Sequence, residues 1–183
     1  RMKKDFFKDS TIKFPAYEPW ISNDDKRTVS KALNQSMLTL GPQLEKFERS
    51  FCKYTKSKYA IAVSNGTAAL HLSLKALGIK EHDEVIIPDL TFVADASAIL
   101  ASNAKPVIVD INKNNFFLSI SNLKKNITKR TKAIIPVHIY GQVCNITEVL
   151  DVARNNNLKI IEDCAHAIGT FYNSKHVGTF GDT

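Results

Sequence analysis

Three short segments of this 183-residue chain carry side chains that could do chemistry. The first is Ser64-Asn65-Gly66-Thr67-Ala68, between a short apolar run and a helical pattern. Gly66 permits tight backbone geometry there. The free N–H groups of a following helix start converge on one spot with positive dipole character. Such a turn can hold a phosphate, with the Thr67 hydroxyl as a further donor. The plainer alternative is a βα turn with a polar N-cap. No GxGxxG occurs and no Gly-Lys-Ser/Thr follows, so the turn is neither a dinucleotide fingerprint nor a Walker A loop.

The second segment is Ile160-Ile161-Glu162-Asp163-Cys164-Ala165-His166. Successive strand side chains point to opposite faces, so Glu162 and Asp163 do not act as a pair: one faces the site and the other packs or is solvated. An acid at the end of a strand could bind a metal, cap the next turn or hold a cationic cofactor. Ala165, Ala167 and Gly169 leave room for something flat and bulky. Asp163, Cys164 and His166 offer metal-donor atoms but no known ligand spacing, and no metal is assigned. The third segment is Pro88-Asp89-Leu90-Thr91-Phe92. Phe92 is either a core aromatic or a ring that stacks on a planar cofactor. Tyr140, in His138-Ile139-Tyr140-Gly141, is a substrate-contact candidate because it follows a strand. No role is assigned to His71, His82, His138 or His176.

These residues need a frame, and the hydrophobic pattern supplies one. Residues 1–20, with Pro15 and Pro19, read as an extended arm. Ser22 and Asp25 form a capping box for a helix through residue 36. Gly41-Pro42 breaks the chain before a second helix to about residue 54, with Leu44, Phe47 and Phe51 on one face. Strands are expected over 59–63, 84–87, 106–110, 133–137 and 158–162, and a hairpin or pair of short strands over 171–180. Helices are expected over 67–77, with a glycine cap at Gly78, and over 92–102, 120–126 and 146–155. Short strands alternating with helices specify an α/β fold with a mainly parallel sheet covered on both faces. Ligands in such folds sit beyond the carboxyl ends of the strands, where all three segments fall. Residues 21–183 therefore read as one domain behind an arm.

Composition narrows the function classes. Hydrophobic residues make up 44% and charged ones 23%, as in a soluble globular protein. The formal charge is +7, but the lysines are scattered, so the pattern is of solvated faces and not of a nucleic-acid or membrane arm. Cys52, Cys144 and Cys164 stand far apart without a CxxC, which fits reduced thiols in the cytosol. The start has no signal-peptide h-region, and no apolar run reaches membrane-spanning length.

Taken in order, the segments resemble the DegT/DnrJ/StrS-type family of pyridoxal-phosphate (PLP)-dependent sugar aminotransferases. The matching text is LTLGPQLEKFERSF (38–51), YAIAVSNGTAALHLSLKALGI (59–79), DEVIIPDLTFVADASAILASNAKPVIVDI (83–111), IIPVHIYGQ (134–142), IIEDCAHAIGT (160–170) and HVGTFGD (176–182). The resemblance implies fold-type-I PLP-transferase architecture, with a large α/β domain, here 21–183 and incomplete, and a small C-terminal domain. It implies a cytoplasmic homodimer that moves an amino group from glutamate to a nucleotide-linked keto-sugar in amino-sugar and surface-polysaccharide biosynthesis. It further implies that Gly66, Thr67 and Ala68 hold the cofactor phosphate, that Phe92 stacks on the pyridine ring, that Asp163 pairs with the protonated ring nitrogen and that His166 sits near the ring hydroxyl. A carboxylate beside that nitrogen favours its protonated, electron-accepting form.

In the family the Schiff-base lysine lies shortly beyond the segment matching Thr179-Phe180-Gly181-Asp182, and this chain stops at Thr183. The expectation is an inactive fragment of an active parent. Two alternatives stay open: a sibling dehydratase with histidine in place of the lysine, and a noncatalytic α/β ligand-binding relative.

Overall fold

A computed structural model describes residues 19–183, so nearly all of the arm expected over 1–20 lies outside the described residues. The chain divides into two compact units, one ending at Glu45 and the other running Lys46–Thr183. In the first, helix α1 spans Asn23–Leu33 and buries none of its residues. It starts as expected. The Ser22 hydroxyl accepts the Asp25 N–H at 3.1 Å, and the Asp25 carboxylate accepts the Ser22 N–H at 2.7 Å, which satisfies two donors that a helix start leaves free. α1 ends before residue 36, where the Asn34 side chain donates back to the Ser30 carbonyl. Helix α2, Pro42–Thr55, opens with proline at the position where a missing N–H costs nothing.

The second unit carries the sheet. Helix α3 (Gly66–Ala76) ends in a Schellman motif: Gly78, at φ +79, donates to Lys75, and Ile79 donates to Leu74. Strand β1 (Glu84–Pro88), helix α4 (Ala94–Ala101), strand β2 (Lys105–Val109), helix α5 (Ile120–Asn126), strand β3 (Thr131–Ile134), helix α6 (Ile146–Asn156) and strand β4 (Lys159–Ile160) follow. The sheet order is β2-β1-β3-β4, and every pairing is parallel. A two-stranded antiparallel hairpin, β5 (Phe171–Tyr172) and β6 (Lys175–His176), turns at Asn173 and Ser174, both at positive φ. Among the described residues no helix is long and apolar enough to cross a membrane.

Alternation along the strands sorts the core into two layers. Val85, Ile87, Ala133, Ile135 and Ile161 pack with Leu70 and Leu74 of α3 and with Ala98 and Ile99 of α4. Ile86, Val109, Ile134 and Ile160 pack with Leu123 of α5 and with Val149 and Val152 of α6. The sheet is thus covered on both faces, as the pattern requires. At its amino end, buried Glu84 accepts from Thr128 at 2.6 Å and Arg130 at 2.9 Å, with Lys105 at 3.5 Å. The Thr128 hydrogen bond leads in holding its carboxyl below the usual range, against burial and with help from Arg130 and Lys105.

One expected element is missing. Residues 59–63 form no strand and pair with none among the described residues. The Ala62 N–H donates to the Glu48 carboxylate at 2.8 Å instead of to a neighbouring strand, and Tyr59 and Ile61 are exposed. The strands expected over 106–110, 133–137 and 158–162 end early, at Val109, Ile134 and Ile160, where the chain turns to form the site, whereas β1 runs one residue past its expected end to Pro88.

Candidate cofactor site

The start of α3 forms the proposed cup. Asn65 is extended, and its side chain accepts the Ala68 N–H at 2.8 Å. This is the polar N-cap of the plainer reading, and it uses the Ala68 amide. Gly66 and Thr67 are exposed, and a Cβ at Gly66 would meet nothing within 4 Å. The donors left for an anion are therefore the Gly66 and Thr67 amides and the Thr67 hydroxyl, at the positive end of the helix.

Phe92 lies between β1 and α4 and is 71% exposed. It is not a core aromatic. Three residues on, Asp95 sits in the first turn of α4 with no exposed surface. The Thr91 hydroxyl donates to Asp95 Oδ2, while Asp95 Oδ1 has no hydrogen-bond partner among the described residues. Burial, countered in part by Thr91 and reinforced by the nearby Asp163 carboxylate, pushes the Asp95 pKa up to about 7.

Asp163 continues the line of β4. Its N–H donates to Pro136, its carbonyl accepts from His138, both at 3.0 Å, and a lone bridge joins it to Val137. Its side chain is half-buried and faces Asp95, on the side of the sheet that α3 and α4 cover. Oδ1 accepts the Ala165 N–H at 2.8 Å, so Asp163 also caps the next turn. His166 is exposed and stacks on Tyr140, with ring centroids 5.8 Å apart and planes at 18°. Tyr140 holds a left-handed backbone (φ 54) in the turn Ile139–Gly141, which the Thr170 hydroxyl pins by donating to the Gly141 carbonyl at 3.0 Å. The structure brings Asp163 to the start of α4, just after Phe92, and pairs His166 with Tyr140; Gly66, Thr67 and Ala68 open the adjacent helix on the same face.

Glu162 points the other way. It is buried and accepts from His138 Nε2 at 3.0 Å, from the Gly178 amide at 2.9 Å and from the Phe180 and Gly181 amides at 2.6 Å each. His138 is fully buried, and its Nδ1 accepts the Cys144 N–H at 3.2 Å. Nε2 therefore carries the ring proton. Burial alone would raise the Glu162 pKa, but the bonds from His138, Gly178 and Gly181 outweigh it and the net shift is downward. Sequence reasoning assigned His138 no role. Its partner comes from 24 residues away, and no local spacing signals such a pair. Gly181 is required by contact: a Cβ there would stand 2.8 Å from the Ile160 carbonyl. Cys164 joins His138 and Glu162 in a group whose donor atoms lie within 4.8 Å of one another, unlike the Asp163, Cys164 and His166 set weighed as metal donors. Both ring nitrogens and both carboxylate oxygens in it are already hydrogen-bonded. Burial first, then the Glu162 charge, pushes the Cys144 thiol up to about 12 and raises Cys164 too.

These features can be set beside known proteins. Residues 19–183 match the model of the DegT/DnrJ/EryC1/StrS aminotransferase family. GDP-perosamine synthase of Escherichia coli O157:H7 is 43% identical over 169 residues, which are 92% of this chain and 46% of that protein. Helicobacter pylori PseC, an aminotransferase involved in the biosynthesis of pseudoaminic acid, superposes with a TM-score of 0.85 at 31% identity, covering 92% of this chain and 46% of PseC. Bacillus subtilis NtdA, solved with bound cofactor PMP, superposes with a TM-score of 0.77 at 38% identity, covering 81% of this chain and 35% of NtdA. The chain thus spans less than half the length of these relatives, and its parallel sheet is part of their fold-type-I PLP-transferase architecture. With residues 19–183 matched, the chain belongs to the DegT/DnrJ/EryC1/StrS aminotransferase family.

Proposed function

We propose that residues 21–183 are the front of the large domain of a PLP-dependent aminotransferase that moves an amino group from glutamate to a nucleotide-linked keto-sugar, for amino-sugar and surface-polysaccharide biosynthesis. The observation that carries this reading is the placement of Asp163 on the face of the sheet where α3 opens with free amides. The residues present fit pyridoxal 5'-phosphate: an anion cup, a flat exposed ring and a carboxylate lie beyond the carboxyl ends of the strands.

The Gly66 and Thr67 amides and the Thr67 hydroxyl would hold the phosphate, with Ala68 shaping the turn while its own amide stays on Asn65. Phe92 would lie on one face of the pyridine. The Asp163 carboxylate would hold a proton on the ring nitrogen, because an opposite charge stabilises the protonated form. His166, braced by Tyr140, would reach the ring hydroxyl, and the exposed Tyr140 would contact the sugar substrate. When bound, the cofactor supplies an electron sink for the substrate carbon. The cytosolic, homodimeric setting belongs to the same proposal and fits three free thiols.

The test is glutamate consumption by the full-length protein with PLP and a panel of nucleotide-linked keto-sugars. Turnover is expected, and Asp163→Asn is expected to lower it on the order of 10²-fold through lost charge stabilisation. Absence of turnover across the panel, or an Asp163→Asn enzyme as fast as the parent, defeats the reading.

A further inference from the structure

Asp95 makes none of the cofactor contacts proposed for the site. It is fully buried, one carboxyl oxygen accepts from Thr91 and the other has no hydrogen-bond partner among the described residues. An orphaned acceptor in a dry site costs free energy unless something donates to it or it becomes a donor itself. The groups that act on it are Thr91 from its own loop and Asp163 from the segment after β4; no cation is among them. Asp163 is an acceptor too, and its Oδ1 already takes the Ala165 amide. Two ionised carboxylates facing each other repel when one of them is fully buried, and one proton between them removes the conflict and satisfies both.

We propose that Asp95 is a positioning residue for Asp163: its neutral carboxyl donates a hydrogen bond to the Asp163 carboxylate, so that the pair holds one proton and one negative charge and aims that charge at the cofactor ring. The proton resides on Asp95 because that side chain is fully buried, whereas Asp163 is half-exposed and has an amide donor. The desolvation-led rise of the Asp95 pKa to about 7 agrees. The first turn of α4 pulls the other way, since a helix start favours an anion, but it meets both burial and a like charge. The role rests on the reading of Asp163 as the ring-nitrogen partner, whereas the shared proton itself does not.

The test uses the full-length protein. In its cofactor-free form, infrared spectroscopy should show the C=O stretch of a protonated carboxyl that fades as pH rises through about 7 and that Asp95→Asn removes. Fluorescence titration with PLP should find Asp95→Asn within about threefold of the parent, because its amide still donates to Asp163 and accepts from Thr91. Asp95→Leu, which leaves Asp163 without that donor, should bind PLP about tenfold more weakly. Thermal melts confirm that both variants are folded. A missing carboxyl band, a band that survives in Asp95→Asn, or equal weakening by Asn and Leu overturns the inference. A parent protein that binds no PLP overturns the cofactor reading instead and leaves the infrared result on the shared proton standing.

Discussion

Glu162 and Asp163 are neighbours in the chain with opposite surroundings. Glu162 faces inward and is saturated: one imidazole and three amides converge on its two oxygens. Asp163 faces the open end of the sheet, where its companion Asp95 is short of a donor and no cation among the described residues balances the two. The first arrangement is what a buried charge needs in order to be structural. The second is what a site looks like when part of its electrostatic complement is to come from a ligand. The contrast shows how one strand end builds a fixed platform on one face and a receptive surface on the other.

The largest test of that contrast is Glu162→Ala. It strands the His138 ring and the Gly178, Phe180 and Gly181 amides, so it should cost about 3–5 kcal/mol, read from urea unfolding of the cofactor-free full-length protein. A loss under 1 kcal/mol, well below that ~3 kcal/mol floor, removes the structural half of the comparison.

Asp95→Asn should act with the opposite sign, and increasingly as pH rises above the unfolded value of 3.8. Because the folded pKa is raised from 3.8 to about 7, the folded state binds the proton more tightly, and stability falls as pH rises from the unfolded value through the folded one. The variant should match the parent in acid and exceed it by roughly 2 kcal/mol at mildly alkaline pH, a figure below the full shift because the facing Asp163 is half-exposed and can relieve the repulsion toward water. Thermal melts across pH check it, and a constant difference at all pH values breaks the argument.

Glu84 at the other end of the sheet sharpens the scale. Its cationic partners are largely exposed, Lys105 at 65% and Arg130 at 64%, so they return to water when it is removed. Glu84→Gln should therefore cost only about 1 kcal/mol near neutral pH. The Glu84 pKa is lowered, so this contribution is present above the unfolded value and disappears as pH falls through the folded one. A pH-independent loss sets that account aside.

Much of this frame was legible in residue order. The capping box at Ser22, the glycine stop at Gly78 and the alternation that separates Glu162 from Asp163 are local rules, and the structure obeys them. Residues 59–63 were misread because an apolar run marks a strand only if a neighbour supplies the ladder; here Glu48 takes the amide. Which carboxylate faces the α3 and α4 side was not legible, since alternation separates two residues without saying which side is which. Phe92 was left open between core and surface, and only packing decides. Asp95 escaped because an acid in the first turn of a helix reads as an ordinary complement to the dipole. Its isolation depends on Asp163, which arrives from 68 residues later. The glycines at 178 and 181 were visible within HVGTFGD, but the carboxylate they enclose was not.

The strand pleat makes the assignment of those two neighbouring acids a matter of odd and even. A single-residue insertion or deletion between Ile160 and Glu162 would rotate both by half a turn of the pleat. The saturated acid would swing toward the cofactor side, and the receptive one would swing into the nest of amides. Length variation among homologues should therefore be excluded from this stretch even where the side chains themselves drift.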